Sequence, residues 1–260
     1  MSKEQIHAQA VVDPAAKLGD GVQVGAFAVV GAGVELGEGC VLHPHAVVYG
    51  PSKFGARNVV HPFCVLGGDP QDYTFRGEHV ELEVGNDNIF REHVTISRGT
   101  KKGGGTTRVG NENFFLSYSH VGHDCQIGNG TLFVNGGTLA GHVEVEDYVT
   151  LGAFSAVHQF CRLGRYAYIG ACTVITQDVL PFSLIVTERE TRCFGPNTIG
   201  LERKGFSPER IRELQRAFKL LVRSKKNTTQ ALEELRKMEN SEDVRELIAF
   251  VEKSQRGIVK

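Results

Sequence analysis

The stretch SYSHVGHDCQIGNGTLFVNGGTLAGHVEVEDYVTLGAFSAVHQF, residues 117–160, decides how the chain folds. Aliphatic or aromatic residues recur at every sixth position through it and its flank, at Phe115, Val121, Ile127, Phe133, Leu139, Val145, Leu151 and Val157. An α-helix needs a period of about 3.6 residues, and hairpin strands alternate in longer runs. A period of six with small residues between fits a triangular prism of short parallel strands, three hexads making a coil of about 18 residues.

Outward from this stretch the spacing persists. Ile6, Val12, Leu18, Val24, Val30, Leu36, Leu42, Val48, Phe54, Val60 and Leu66 form an unbroken series, often followed by glycine as in LGDGVQ and VGAGVE. Two segments break it. GGDPQDYTFRGEHVE lies between Leu66 and Val84, and the glycine-rich SRGTKKGGGTTR between Ile96 and Val109. Both are expected to leave the prism as loops, about 67–83 and 97–108, and loops on a rigid scaffold commonly carry function. After Leu163, Ile169 and Ile175 the repeat stops near Pro181. The class is therefore mainly β, a parallel β-helix over residues 1–195. The crossover rule for parallel strands taken alone favours a right-handed coil, and hexad spacing itself does not set the hand.

The tail reads differently. Ser207 and Pro208 form a helix start, with Ile211, Leu214, Phe218, Leu221 and Val222 at helical spacing behind them. Ala231, Leu235 and Met238 mark a second helical run, and Ser241, Glu242 and Asp243 open a third. Residues 196–260 are expected to form a helical domain. Between Leu201 and Lys226 nine Lys or Arg stand against three Asp or Glu. That is either a solvated face or a dock for an acidic partner.

The formal net charge of −1 over 260 residues gives no global case for nucleic acid. No apolar run approaches the roughly 18 residues of a membrane span. Six cysteines show no C-x-x-C pair, and the start MSKEQIHAQA lacks the apolar core of a secretory signal. A cytoplasmic protein with reduced thiols is expected.

Residues one coil apart should stack. His123-Asp124, Gly141-His142 and His158-Gln159 then share one edge on three consecutive coils, within about 10 Å along the axis. A lone histidine is more often structural than catalytic, and Asp124 suits a tight corner on its own account. A corner has no evident structural use for four histidines, His120, His123, His142 and His158, so the cluster points to chemistry. A histidine beside a carboxylate can act as general base, and a neighbouring glycine N–H can hold the oxyanion of an attacked acyl carbonyl. Metal binding is the rival use, since three histidines can hold zinc.

HVGHDCQIG, LAGHVEV, VHQFCRLG, PQDYTFRGE, IFREHVTISRGT and FGPNTIGLERKGFS together resemble the UDP-N-acetylglucosamine O-acyltransferase family, which opens lipid A biosynthesis. The resemblance covers nearly the whole chain. It implies a left-handed β-helix, a homotrimer with sites between subunits, and transfer of a 3-hydroxyacyl group from acyl carrier protein to the sugar 3-OH. The phosphopantetheine of the carrier is the acyl donor, with no further cofactor and no metal. Neither nucleic acid nor membrane insertion is implied. By the same resemblance His123 is the general base, Asp124 its orienting carboxylate and Gly141 the oxyanion donor, with His142 beside it. Gln71, Asp72, His120 and His158 match sugar contacts, and Gln159, Asn197 and Arg203 match nucleotide or phosphate contacts. Lys204 replaces a second arginine. Ala171 matches the acyl-chain ruler, stacked with Ala153 and Asn135, and implies a medium to long chain. The basic tail becomes a dock for the acidic carrier.

Some positions depart from the family. Thr74 stands where a loop lysine is expected, so that charge is missing or comes from Arg76, and Ile199 replaces a glutamate. Competing readings are N-acylation of a diamino sugar, a zinc-dependent carbonic anhydrase on the same fold, and a purely structural trimer.

Overall fold

A computed structural model describes residues 5–187, 193–238, 241–254 and 258. The chain divides into two compact units, Met1–Thr187 and Glu188–Lys260. Residues 188–192, at the end of the span expected to be β-helical, lie outside the described residues.

In the first unit short strands, most of them two residues long, pair in parallel into three sheets of ten, nine and eight strands. The chain visits face A (beginning Gln5–Ile6), face B (Val11–Val12) and face C (Lys17–Leu18) in rotation, so every third strand is a spatial neighbour. The coils wind left-handed, as the resemblance implies. The right-handed bias of parallel crossovers arises from strand twist, and strands this short carry little of it.

The inward residues are the hexad series. Leu66, Leu139, Leu151 and Ile169 are completely buried, and Phe90, Phe115 and Phe133 stack inside the prism with centroids 5.1 and 4.7 Å apart. Each such side chain contributes about 1.5–3 kcal/mol by leaving water. A buried polar column runs beside them. Asn88 Nδ2 donates to Asn58 Oδ1, Asn113 Nδ2 to Asn88 Oδ1, and Thr131 Oγ1 to Asn113 Oδ1, at 2.7–2.9 Å. These bonds satisfy groups that would otherwise be costly to bury.

Strand partners normally lie 18 residues apart, as at Gln126↔Glu144. Val65 instead pairs with Thr95, and Thr95 with His120. The extra residues form loop 1 (69–80) and loop 2 (98–105), which both leave the corner between faces B and C. They are narrower than the expected excursions of 67–83 and 97–108, because Gly68↔Ser97 and Glu81↔Thr106 continue the pairing to their edges.

The corners correct one expectation. Between faces A and B, Phe27, His45, Phe63, His93 and Tyr118 all adopt the left-handed backbone conformation, φ 59–66°. Their rings form a continuous stack with centroids 4.7–5.2 Å apart. Corner histidines therefore do have a structural use. Histidine tolerates positive φ better than most residues, and ring stacking offsets the remaining strain.

The second unit contains α1 (Thr198–Arg203), α2 (Pro208–Phe218), a π-helical turn at Lys219–Arg223, α3 (Thr228–Arg236) and α4 (Glu242–Lys253). Ser207 caps α2, and Asn227 with Gln230 forms a capping box on α3. Leu214, Ala217, Leu221, Ala231, Leu235, Val244, Ile248 and Val251 form its core. The Arg210 guanidinium clasps the Asp243 carboxylate with two 2.8 Å bonds, tying α2 to α4. Helix α1 was not expected, since six residues are too few to show helical periodicity. Among the described residues no helix is long and apolar enough to cross a membrane.

Candidate active site

The site is built at the B–C corner, where Asp124 and His142 take left-handed φ values of 61° on successive coils. His142 N donates to His123 O at 2.9 Å, which fixes the stacking of the two turns. The Asp124 side chain is 1% exposed and fully engaged. Its Oδ1 accepts from Thr100 N at 2.7 Å, and its Oδ2 from Thr100 Oγ1 at 2.7 Å and His123 Nδ1 at 2.8 Å. Its own N–H donates to Thr107 Oγ1 at 2.8 Å. An ionised carboxylate only accepts, so Nδ1 of a neutral His123 carries the proton and Nε2 keeps the free lone pair. The His123 side chain is 17% exposed. A base held this way is oriented by a buried charge yet open to a substrate.

Two glycines make the arrangement possible. A Cβ on Gly141 would lie 2.5 Å from His123 Cε1, and a Cβ on Gly103 of loop 2 would overlap the Asp124 carboxylate. Gly141 is buried, and its N–H donates to no acceptor among the described residues. Buried N–H groups are seldom left so, and this one is free to hold a developing oxyanion. His142 Nε2 is 3.6 Å from Asp124 Oδ2, too far for a hydrogen bond. Its ring meets His123 edge-on at 5.1 Å and stacks on Phe160 at 4.5 Å. It fences the base.

His120 lies on face B with Nδ1 2.8 Å from Thr95 Oγ1. Burial, helped by the nearby His123, holds its pKa below the usual histidine value. His158 is exposed, with Nδ1 3.1 Å from Gln159 O, and Gln159 is exposed beside it. In loop 1 Gln71 is exposed, while Asp72 Oδ1 accepts from Thr74 N at 2.8 Å and Thr74 Oγ1 at 2.9 Å. Those two bonds hold the Asp72 carboxyl below its usual range, with Lys102 and His123 adding to the effect. Loop 1 is thus brought within electrostatic reach of His123.

Arg76 does not supply the charge expected in place of the loop lysine. Its Nη1 donates to Tyr73 O and Phe75 O at 2.7 and 2.8 Å, folding the guanidinium onto its own loop. Lys102 of loop 2 reaches across instead, with Nζ 3.2 Å from Thr74 Oγ1.

Ala171 is exposed at the A–B corner, across face B from His123. Phe154 N donates to Asn135 O and Cys172 N to Ala153 O, so Asn135, Ala153 and Ala171 stack turn on turn. Asn197, Arg203 and Lys204 belong to the helical unit. Asn197 Oδ1 caps α1 by accepting from Gly200 N at 3.2 Å, Arg203 ends the helix, and Lys204 is its C-cap.

Sequence reasoning missed Thr100, Lys102, Gly103 and Thr107. The string RGTKKGGG marks a glycine-rich excursion and carries part of the family resemblance, without giving these residues a role. Its Thr-x-x-Gly pattern is the available clue, since Thr100 Oγ1 also accepts from Gly103 N and caps a 3-10 turn at Lys101–Gly103.

The cluster can do acid–base chemistry without a protein nucleophile. Cys125, next to Asp124, is buried, donates to Ala140 O at 3.1 Å, and has its pKa pushed up to about 12 by burial. Such a thiol is inert. The ligating atoms of His123, Asp124 and His142 lie within 4.8 Å of one another, the one grouping among the described residues that could hold a metal ion. A separate groove of about 750 Å³ runs along face C past Lys53, Arg108 and Glu144, and none of its lining residues belongs to the cluster.

Residues 178–259 match the family model described as UDP-N-acetylglucosamine O-acyltransferase, domain 2, and residues 15–50 match the bacterial transferase hexapeptide model. The chain is 55% identical over 257 residues to the acyl-[acyl-carrier-protein]–UDP-N-acetylglucosamine O-acyltransferase of Alkalilimnicola ehrlichii, covering 98% of this chain and 99% of that one. A namesake from Stenotrophomonas maltophilia is 45% identical, covering 98% of each. Among solved structures, the UDP-N-acetylglucosamine acyltransferase of Francisella novicida superposes with a TM-score of 0.70 at 37% identity, over 98% of this chain and 94% of that one. That of Campylobacter jejuni gives 0.68 at 32%, over 98% and 100%.

Proposed function

Because this chain belongs to the UDP-N-acetylglucosamine O-acyltransferase family, we propose that His123 is the general base of its reaction. The chain is an acyl-[acyl-carrier-protein]–UDP-N-acetylglucosamine O-acyltransferase of lipid A biosynthesis, transferring a 3-hydroxyacyl group to the sugar 3-OH. The carrying observation is the His123 Nδ1–Asp124 Oδ2 bond of 2.8 Å over a buried carboxylate, which leaves Nε2 as the only basic nitrogen of that ring.

Nε2 takes the proton of the 3-hydroxyl as its oxygen attacks the thioester carbonyl. The N–H of Gly141 stabilises the oxyanion of the tetrahedral intermediate. Collapse breaks the C–S bond, and the proton on Nε2 passes to the departing phosphopantetheine sulfur. Asp124 holds the imidazole in the required tautomer and stabilises the imidazolium between the two proton transfers.

Gln71, Asp72, His120 and His158 bind the sugar in this reading, and His142 shields the base. Gln159, Asn197, Arg203 and Lys204 take the nucleotide and its diphosphate, for which arginine offers paired charge-assisted bonds. Ala171 limits the acyl chain. No metal or further cofactor takes part, and the enzyme works in the cytoplasm as a homotrimer with sites between protomers. Half-exposed rings along the corners, among them Phe27, Phe63 and Tyr118 at 50%, 51% and 64%, support assembly. Arg216, Lys219 and Lys225, exposed within the basic stretch between Leu201 and Lys226, support docking of an acidic carrier protein on the helical unit.

The test is transfer from a panel of 3-hydroxyacyl carrier proteins to UDP-N-acetylglucosamine, followed against pH. Turnover that falls on acidification, as the imidazole protonates, is expected. A rate flat through the acid limb with chemistry rate-limiting removes His123 from the role of base, and absence of turnover with every donor removes the reaction.

A further inference from the structure

We propose that the Lys102 ammonium is a specificity-determining substrate contact, binding a phosphoryl oxygen of a substrate where it now meets the Thr74 hydroxyl. The inference rests on the acyl-transfer reading and adds a residue to it.

Two arginines on these two loops are already committed. Arg98 bonds Gly50 O and the Asp69 carboxylate, pinning the start of loop 1. Arg76 is folded onto the carbonyls of its own loop. Lys101 makes no hydrogen bond or ion pair among the described residues, and its charge adds only to the lowering of the Glu78 carboxyl, which backbone N–H bonds dominate. Lys102 differs from both arginines, and unlike Lys101 it is held across the two loops by a bond. Its bonded partner is a neutral hydroxyl at 3.2 Å, and among the described residues no carboxylate oxygen lies within ion-pair distance of it.

Its position is held by the same turn that holds the base. Thr100 locks Asp124 with two bonds and caps the turn Lys101–Gly103, so Lys102 projects from a segment anchored to the His123–Asp124 pair. It is exposed, and both it and His123 act on Asp72. A hydroxyl is a weak partner for an ammonium, so exchange for an anionic oxygen is favourable. Both substrates of the proposed reaction carry phosphate, one as a nucleoside diphosphate and the other as the phosphodiester of phosphopantetheine. Sugar hydroxyls alone would not need this charge.

The experiment compares wild type with Lys102→Ala, Lys102→Gln, Lys102→Arg and Lys101→Ala. KM for each substrate is measured with the other saturating, and UDP-N-acetylglucosamine binding is measured by calorimetry without acyl donor. Loss of one charge-assisted contact should raise the affected constant roughly tenfold in Lys102→Ala, with kcat changed far less. Lys102→Arg should recover most of the loss, and Lys101→Ala should behave as wild type. A raised KM and Kd for the nucleotide sugar assign the diphosphate, whereas a raised KM for the carrier alone assigns the phosphodiester. Lys102→Gln can still bond Thr74 but has no charge. If it behaves as wild type, the side chain only straps the loops together and the proposal fails. It also fails if no constant moves in Lys102→Ala. Lack of turnover in wild type would instead undo the acyl-transfer reading, and calorimetry would then decide Lys102 alone: an unchanged Kd, or no binding to wild type, overturns it.

Discussion

The A–B and B–C corners place histidines at the same point of the coil, in the same backbone conformation, with different consequences. His45 and His93 at A–B lie between Phe and Tyr rings and complete a stack. His142 at B–C occupies the equivalent position, but the residue one coil earlier is Asp124, whose buried carboxylate also holds His123. A corner histidine becomes part of a reactive group only where a carboxylate replaces the ring beneath it. Both loops leave from the B–C corner as well, and loop 2 supplies the Thr100 donors that satisfy that carboxylate out of water.

The sharpest way to break this contrast is to exchange losses between the corners. His123→Ala should reduce kcat by about 10²–10⁴-fold with little change in thermal midpoint. His93→Ala should leave kcat within about twofold and lower stability by about 1 kcal/mol, the worth of its ring contacts with Phe63 and Tyr118. Equal kinetic losses in the two variants would erase the distinction. Gly141→Ala comes next. Its Cβ would displace the His123 ring, and misplacement of a reacting group by about 1 Å can cost 10²-fold. Circular dichroism should remain native while kcat collapses.

Thr100→Val removes the Oγ1 bond to Asp124 and should lower kcat by about tenfold. Thr100→Ser should restore it, which a purely structural loss of loop 2 would not allow. The smallest effect concerns His120. Its folded pKa lies below that of a free histidine, so it binds fewer protons than the unfolded chain. The associated stability is present above the unfolded value near 6.5 and is lost as pH falls through the folded one. Selective imidazole labelling should show His120 titrating below the ordinary histidine value, and His120→Asn should flatten that part of the stability profile.

Much of this could be read from residue order alone. The period of six is a local property of the chain, and each hexad repeats the same requirement for one inward apolar side chain. The β-helix, the place of both loops, and the column His123, Gly141, Gln159 therefore follow from counting. So do Asp124 beneath His142 and the ruler stack of Asn135, Ala153 and Ala171. The helix start at Ser207 was legible because its capping bond to Arg210 N is local, and that at Ser241 because Glu242 and Asp243 fill the first turn, Ser241 itself making no side-chain cap bond; α1 was not, being shorter than two full periods.

The tertiary structure alone decided what lies across the loops. Thr100 meets Asp124 at a separation of 24 residues and Lys102 meets Thr74 at 28, neither a multiple of the coil. Once a loop interrupts the repeat, sequence separation no longer encodes spatial neighbours, and packing chooses the partner. The inward turn of Arg76, the structural role of His45 and His93, and the space that Gly103 and Gly141 leave for Asp124 and His123 are settled the same way. Each depends on contacts between coils and loops that share no fixed spacing in the chain.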